Sequence, residues 1–139
     1  MLALFASHGL FDLRVEDHPD PVAELRRLVD QWRQVAPYYY GDYYPLTSYS
    51  QADDAWMAWQ FHRPEAGEGM VQAFRRADSP FEAARFRLNA LDLEKNYKVW
   101  NTAGGQPVEQ SGKDLMERGA LVKMEDRPGA VVIRYQAQP

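Results

Sequence analysis

The chain has 139 residues, 16 Lys and Arg against 20 Asp and Glu, and hence a formal net charge of −4 with His neutral. A 45% apolar, 26% charged composition is that of an ordinary globular domain with enough length to bury a core. The acidic balance argues against a phosphate-backbone partner such as nucleic acid, and the absence of cysteine removes disulfides, thiolate metal sites and a cysteine nucleophile. The longest apolar stretches, 2–6 and 130–133, fall far short of the roughly 20 residues of a membrane span, and residues 1–11 lack the positive start of a secretory signal. The expectation is a soluble, cytoplasmic chain without a membrane partner.

Residues 1–11 mix apolar and small types without a period and read as a short strand or an unpaired arm. From Asp20 the pattern becomes helical. Asp20 suits the N-cap and Pro21 the first turn, and Val22, Leu25, Leu28, Val29, Trp32, Val35 and Ala36 recur at helical spacing. Pro37 disfavours helical geometry at Ala36, so the helix is expected to stop there. The segment YYYGDYYPLTSYS follows, punctuated by Gly41 and Pro45, and reads as an ordered loop with short extended pieces.

Strands dominate from Asp54 onward. Ala55 to Phe61 alternates Met57, Trp59 and Phe61 with Trp56 and Ala58, and should pair as a hairpin with Glu68 to Arg75 across HRPEAG. Further strands are expected at 83–89, 97–100, 107–110, 120–125 and 130–136, with a helical turn at 113–117 and turns at NTAGGQP and DRPG. Short strands at near-regular spacing point to a mainly β fold, an antiparallel β-sandwich or open barrel, with one N-terminal amphipathic helix. Arg75, Arg76, Arg85 and Arg87 read as a solvated sheet face.

Candidate chemistry is sparse. Asp53 and Asp54 beside Trp56 evoke the two carboxylates of a glycosidase, but neighbours on a strand point to opposite faces, and an Asp-Asp pair opening a strand is common turn chemistry. His8, His18 and His62 lack metal-ligand spacing, no Ser sits in GxSxG, and neither GEG nor GG makes a phosphate loop. Catalytic residues, metal and cofactor are therefore all expected to be absent. Nine aromatics crowd into residues 38–61, and alternate aromatics on strands are first of all core. Were they a sugar surface instead, Trp56 would be the stacking platform, with Asp54 and Arg63 as hydroxyl partners.

The text YYYGDYYPLTSYS followed by DDAWMAWQFHRPEAGEGMVQAFRR, with FRLNALDLEKNYKVWN and SGKDLMERGALVKM further on, resembles the C-terminal domain of bacterial α-galactosidase-like enzymes of the melibiase kind, close to glycoside hydrolase family 36. In that family a (β/α)8 barrel carries catalysis and an antiparallel β-sandwich follows it. The resemblance implies that residues 1–37 correspond to the end of such a barrel and residues 38–139 to the sandwich. A barrel takes about 250 residues, and no position here corresponds to the family's catalytic carboxylates. The implied function is a non-catalytic domain supporting the barrel, the alternative a free-standing carbohydrate-binding module for galactosides. Leu25, Leu28, Val29 and Trp32 would then form an interface with the sandwich itself, a catalytic barrel domain, or a second copy of the chain in a homodimer.

Overall fold

The computed structural model describes residues 20–139. His8, His18 and the expected N-terminal arm lie outside them. The first helix, α1 (Pro21–Val35), starts where Asp20 accepts the amide of Ala23 at 2.9 Å, satisfying one of the donors a helix start leaves free. It continues into a 3-10 turn over Ala36–Tyr40, so Pro37 ends the α-helix but not the helical path, because a residue at the head of a new 3-10 turn needs no amide bond.

The tyrosine segment contributes a strand, β1 (Asp42–Pro45). It pairs with β2 (Trp56–Arg63), and β2 pairs with β3 (Glu68–Arg75) as the expected hairpin. Then come β4 (Ala83–Phe86), β5 (Asn96–Asn101), β6 (Val108–Ser111), the short helix α2 (Gly112–Glu117), β7 (Ala120–Lys123) and β8 (Gly129–Ala137). The expected strand at 83–89 is cut short at Phe86, and the Leu88 amide turns instead to the Leu115 carbonyl of α2. α2 is capped by the Ser111 hydroxyl, which accepts the Asp114 amide at 3.0 Å.

Six strands form one antiparallel sheet in the order β1-β2-β3-β8-β5-β6, and β4 and β7 form a second, two-stranded sheet. The main sheet ends at β1 and β6, so the architecture is a two-layer sandwich and not a closed barrel. Register sorts its side chains. One face carries Ala58, Gln60 and His62 of β2, Gly69, Val71 and Ala73 of β3, Ile133 and Tyr135 of β8 and Val99 of β5. It packs on Phe86, Ala120 and Val122 of the small sheet, with Leu88, Leu91 and Leu115 closing the core. The opposite face carries Phe61, Met70 and Val132 and is covered by Trp32, Val35, Tyr38 and Tyr39 from α1 and its 3-10 extension.

Arg75 departs from the expected solvated face: it is 3% exposed. Its guanidinium donates to the carbonyls of Met124, Glu125 and Ser79 at 2.7, 2.8 and 3.0 Å, tying two loops to the end of β3. Carbonyls with unfilled lone pairs at a loop crossing are what make a buried cation tolerable there. Among the described residues, no helix is long and apolar enough to cross a membrane.

Candidate functional site

The helix-covered face is built from alternate strand positions. Phe61 on β2, Met70 on β3, Arg134 on β8 and Trp100 on β5 stand in one cross-strand row, with Tyr43 of β1 at its outer end. Val35 and Tyr38 are buried over this row. The Tyr38 hydroxyl accepts from Arg134 Nη2 at 2.7 Å and Nε at 3.1 Å, and it reaches the Glu68 carboxylate at 3.5 Å. The Arg134 guanidinium also lies 5.0 Å from the Trp100 ring centroid, so its charge is shared between a phenol oxygen and an indole face. Burial raises the Tyr38 pKa, with the Arg134 hydrogen bond acting against it.

The next row holds Pro45, Trp59, Gln72 and Val132. Trp59 Nε1 donates to Gln72 Oε1 at 2.6 Å, and Gln72 Nε2 donates to the Tyr39 hydroxyl at 2.7 Å. One buried amide thereby satisfies an indole and a phenol that would otherwise enter the interface unpaired. Tyr39 meets Phe61 edge-on at 4.9 Å, and its pKa is raised by burial. Tyr38 and Tyr39, the start of the tyrosine segment, thus serve to fasten the helix to the sheet.

What remains outside is the N-terminal part of the apolar stripe of α1. Leu28 is fully buried, and Val29 and Trp32 are half-buried, whereas Leu25 is 43% and Val22 56% exposed. Tyr40 is 94% exposed, and Tyr43, at the sheet edge beside Phe61, is also exposed. The single apolar stripe of the helix is therefore covered toward its C-terminal end and open toward its N-terminal end.

The three residues proposed for sugar do not come together. Trp56 opens β2 on the core side, packs against Phe86 at 6.0 Å and donates from Nε1 to the Phe81 carbonyl at 3.1 Å. Asp54 is exposed in the turn just before it. Arg63 ends the same strand, seven residues or roughly 23 Å away, on the opposite face. It is engaged by Glu65 and Glu68, each at 3.1 Å. The Glu65 carboxyl is held below its ordinary pKa, by its own backbone amide first and by Arg63 next, the reverse of the upward shift a glycosidic general acid needs. Among the described residues no group of three His, Asp or Glu could hold a metal ion.

Sequence reasoning missed the Gln72 bridge, the Arg134 contact and a buried pair, His62 and Tyr135. The available signal was a polar residue at a core-phase position: Gln60 and His62 alternate with Trp56 and Ala58 on one side of β2. Such residues are retained inside only with partners, and partners lie on distant strands.

Residues 56–137, more than half of the chain, match the family model of the glycosyl hydrolase family 36 C-terminal domain. The fold is similar to part of the α-galactosidase AgaB from Geobacillus stearothermophilus, at 24% identity and TM-score 0.64, over 84% of this chain and 16% of that one. It is likewise similar to part of the α-galactosidase from Lactobacillus brevis, at 16% identity and TM-score 0.67, over 88% of this chain and 17% of that one. The galactosidase domain of the α-galactosidase-sucrose kinase AgaSK gives 18% identity and TM-score 0.66, over 83% and 16% respectively. At these identities the likeness is one of fold, and the chain spans about a sixth of each solved relative. No match is found among curated proteins.

Proposed function

Because this chain belongs to the glycosyl hydrolase family 36 C-terminal domains, we propose that it is the β-sandwich that packs against and stabilises the catalytic barrel of an α-galactosidase-like enzyme, without itself hydrolysing glycosides. The observation that carries this reading is the half-covered apolar stripe of α1. The C-terminal end of α1 and its 3-10 extension are clamped to the main sheet through Trp32, Val35 and Tyr38, yet the same apolar stripe runs on to the exposed Val22 and Leu25, as a helix bridging to a neighbouring layer would. Covering such a pair contributes on the order of 1–2 kcal/mol per side chain, enough to favour one docked arrangement. In this reading residues 1–37 belong to the junction with the barrel and residues 38–139 to the sandwich.

The test combines activity with docking. The full chain alone, incubated with a nitrophenyl α-galactoside, is expected to release no nitrophenol. Joined to a family 36 barrel stripped of its own C-terminal domain, it is expected to raise the melting temperature of that barrel. Val22→Asp with Leu25→Asp should abolish the gain and leave the melting of the isolated chain unchanged. Hydrolysis by the isolated chain would overturn the non-catalytic role, and a gain indifferent to the double variant would overturn the helix interface.

A further inference from the structure

On the core face of the main sheet, away from the helix interface, three buried polar side chains meet: Gln60 and His62 of β2 and Tyr135 of β8. Their hydrogen bonds can be oriented from the backbone outward. The Asn89 amide donates to Gln60 Oε1 at 2.8 Å, and a backbone N–H can only donate, so this end of the side chain is the oxygen. Gln60 Nε2 then donates to the Asn89 carbonyl at 2.9 Å and to the Tyr135 hydroxyl at 2.8 Å. Tyr135 Oη therefore accepts from Gln60, and its own proton is left for His62 Nδ1, 3.0 Å away. With Nδ1 as the acceptor of that proton, the ring is neutral and carries its own proton on Nε2.

We infer that the contact between His62 and Tyr135 is a proton-controlled lock on the loop after β4. Protonation of His62 turns Nδ1 into a donor. The Tyr135 hydroxyl then faces donors from both His62 and Gln60, and its own proton loses the acceptor that held it, so the arrangement that orients Gln60 fails. Gln60 is what holds Asn89, by both its amide and its carbonyl. The next residue, Ala90, has φ of +57°, a left-handed conformation strained for a residue with a Cβ, so the loop is held there by its clamp. The lock does not rest on the barrel-docking role proposed above.

The surroundings bear on the proton in both directions. Asp42 lies opposite His62 on β1, with Tyr44 opposite Gln60. Arg63 follows on β2, Glu65 lies in the next turn, Glu68 opens β3, and Tyr97 of β5 stands behind Tyr135. Burial holds the His62 pKa below its ordinary value, while the backbone of Glu68, the carboxylates of Asp42 and Glu65 and the backbone of Ala90 act the other way. His62 is 2% exposed and its ring lies near parallel to that of Tyr135, so an added proton finds no water to spread into.

The experiment follows the Asn89 amide by hydrogen exchange in the full chain, corrected for intrinsic rates, from about pH 7 to pH 5. Protection is expected to fall by up to about tenfold per pH unit below about pH 6.5, the ordinary imidazole value that the opened form regains, and to level off where His62 protonates in the closed form, as one linked proton requires. His62→Gln, neutral throughout, should lose that pH step. A nitrogen NMR titration of the wild-type imidazoles supplies the readout should the variant not fold. His62 is expected as the Nε2–H tautomer at neutral pH, titrating below the ordinary imidazole range, where the loss of Asn89 protection levels off. A step that persists in His62→Gln, the opposite tautomer, or a His62 that titrates while Asn89 stays protected would each overturn the lock.

Discussion

Gly69 of β3 sits across from His62 on one side and Tyr135 on the other. A Cβ built on it would meet the Tyr135 hydroxyl and the Phe61 carbonyl far inside van der Waals contact. Its φ is not in the left-handed range, so the requirement is for close approach of the neighbours and not for backbone freedom. In Gly69→Ala the Phe61 carbonyl cannot retreat without loosening the pairing of β2 with β3, an overpacking cost of about 1–3 kcal/mol. The Tyr135 hydroxyl must also leave its places 2.8 Å from Gln60 and 3.0 Å from His62. Two buried hydrogen bonds lost or bent add about 1–3 kcal/mol more. Together these give about 4 kcal/mol, which for a domain of this size is on the order of 15 °C in Tm. Urea and thermal unfolding followed by circular dichroism would measure it. The reasoning predicts coupling as well: Tyr135→Phe removes the oxygen that the new methyl strikes, so the double variant should lose about 1–2 kcal/mol less than the sum of the singles. Strict additivity, or a Gly69→Ala protein within about 1 kcal/mol of the parent, would refute the steric account.

Arg75→Ala should cost about 3–5 kcal/mol in urea unfolding, because it strands the carbonyls of Met124, Glu125 and Ser79 at once, and exchange should quicken in the turn before β8. A loss below about 1 kcal/mol would mean that water replaces the guanidinium there. At alkaline pH the direction follows from Tyr38, Tyr39 and Tyr135, whose pKa values burial raises. The folded state holds these phenol protons more tightly than the unfolded chain, so stability is intact below about pH 10 and falls as the pH rises beyond it. Ultraviolet titration should show these three ionising late, in step with unfolding; their ionisation at ordinary pH in a chain that stays folded would contradict the burial.

Local chemistry was enough to read much of this protein from its residues. Asp20 and Pro21 mark the start of α1, and the alternation through Met57, Trp59 and Phe61 assigns the two sides of β2, because capping and the two-residue strand period depend on near neighbours alone. The family text in the tyrosine segment and the first hairpin belongs to the same level. Tertiary structure decided what depends on partners far along the chain. β8 enters between β3 and β5, which places Tyr135 against His62 and Arg134 beneath Tyr38, 73 and 96 residues away in sequence. Arg75 looked like a surface cation until two loops turned their carbonyls on it, and Trp56, the obvious sugar platform, was claimed by Phe86 and Phe81. A side chain's type states what it needs, a carbonyl, a proton or an apolar cover, but only the folded chain determines which distant group supplies it.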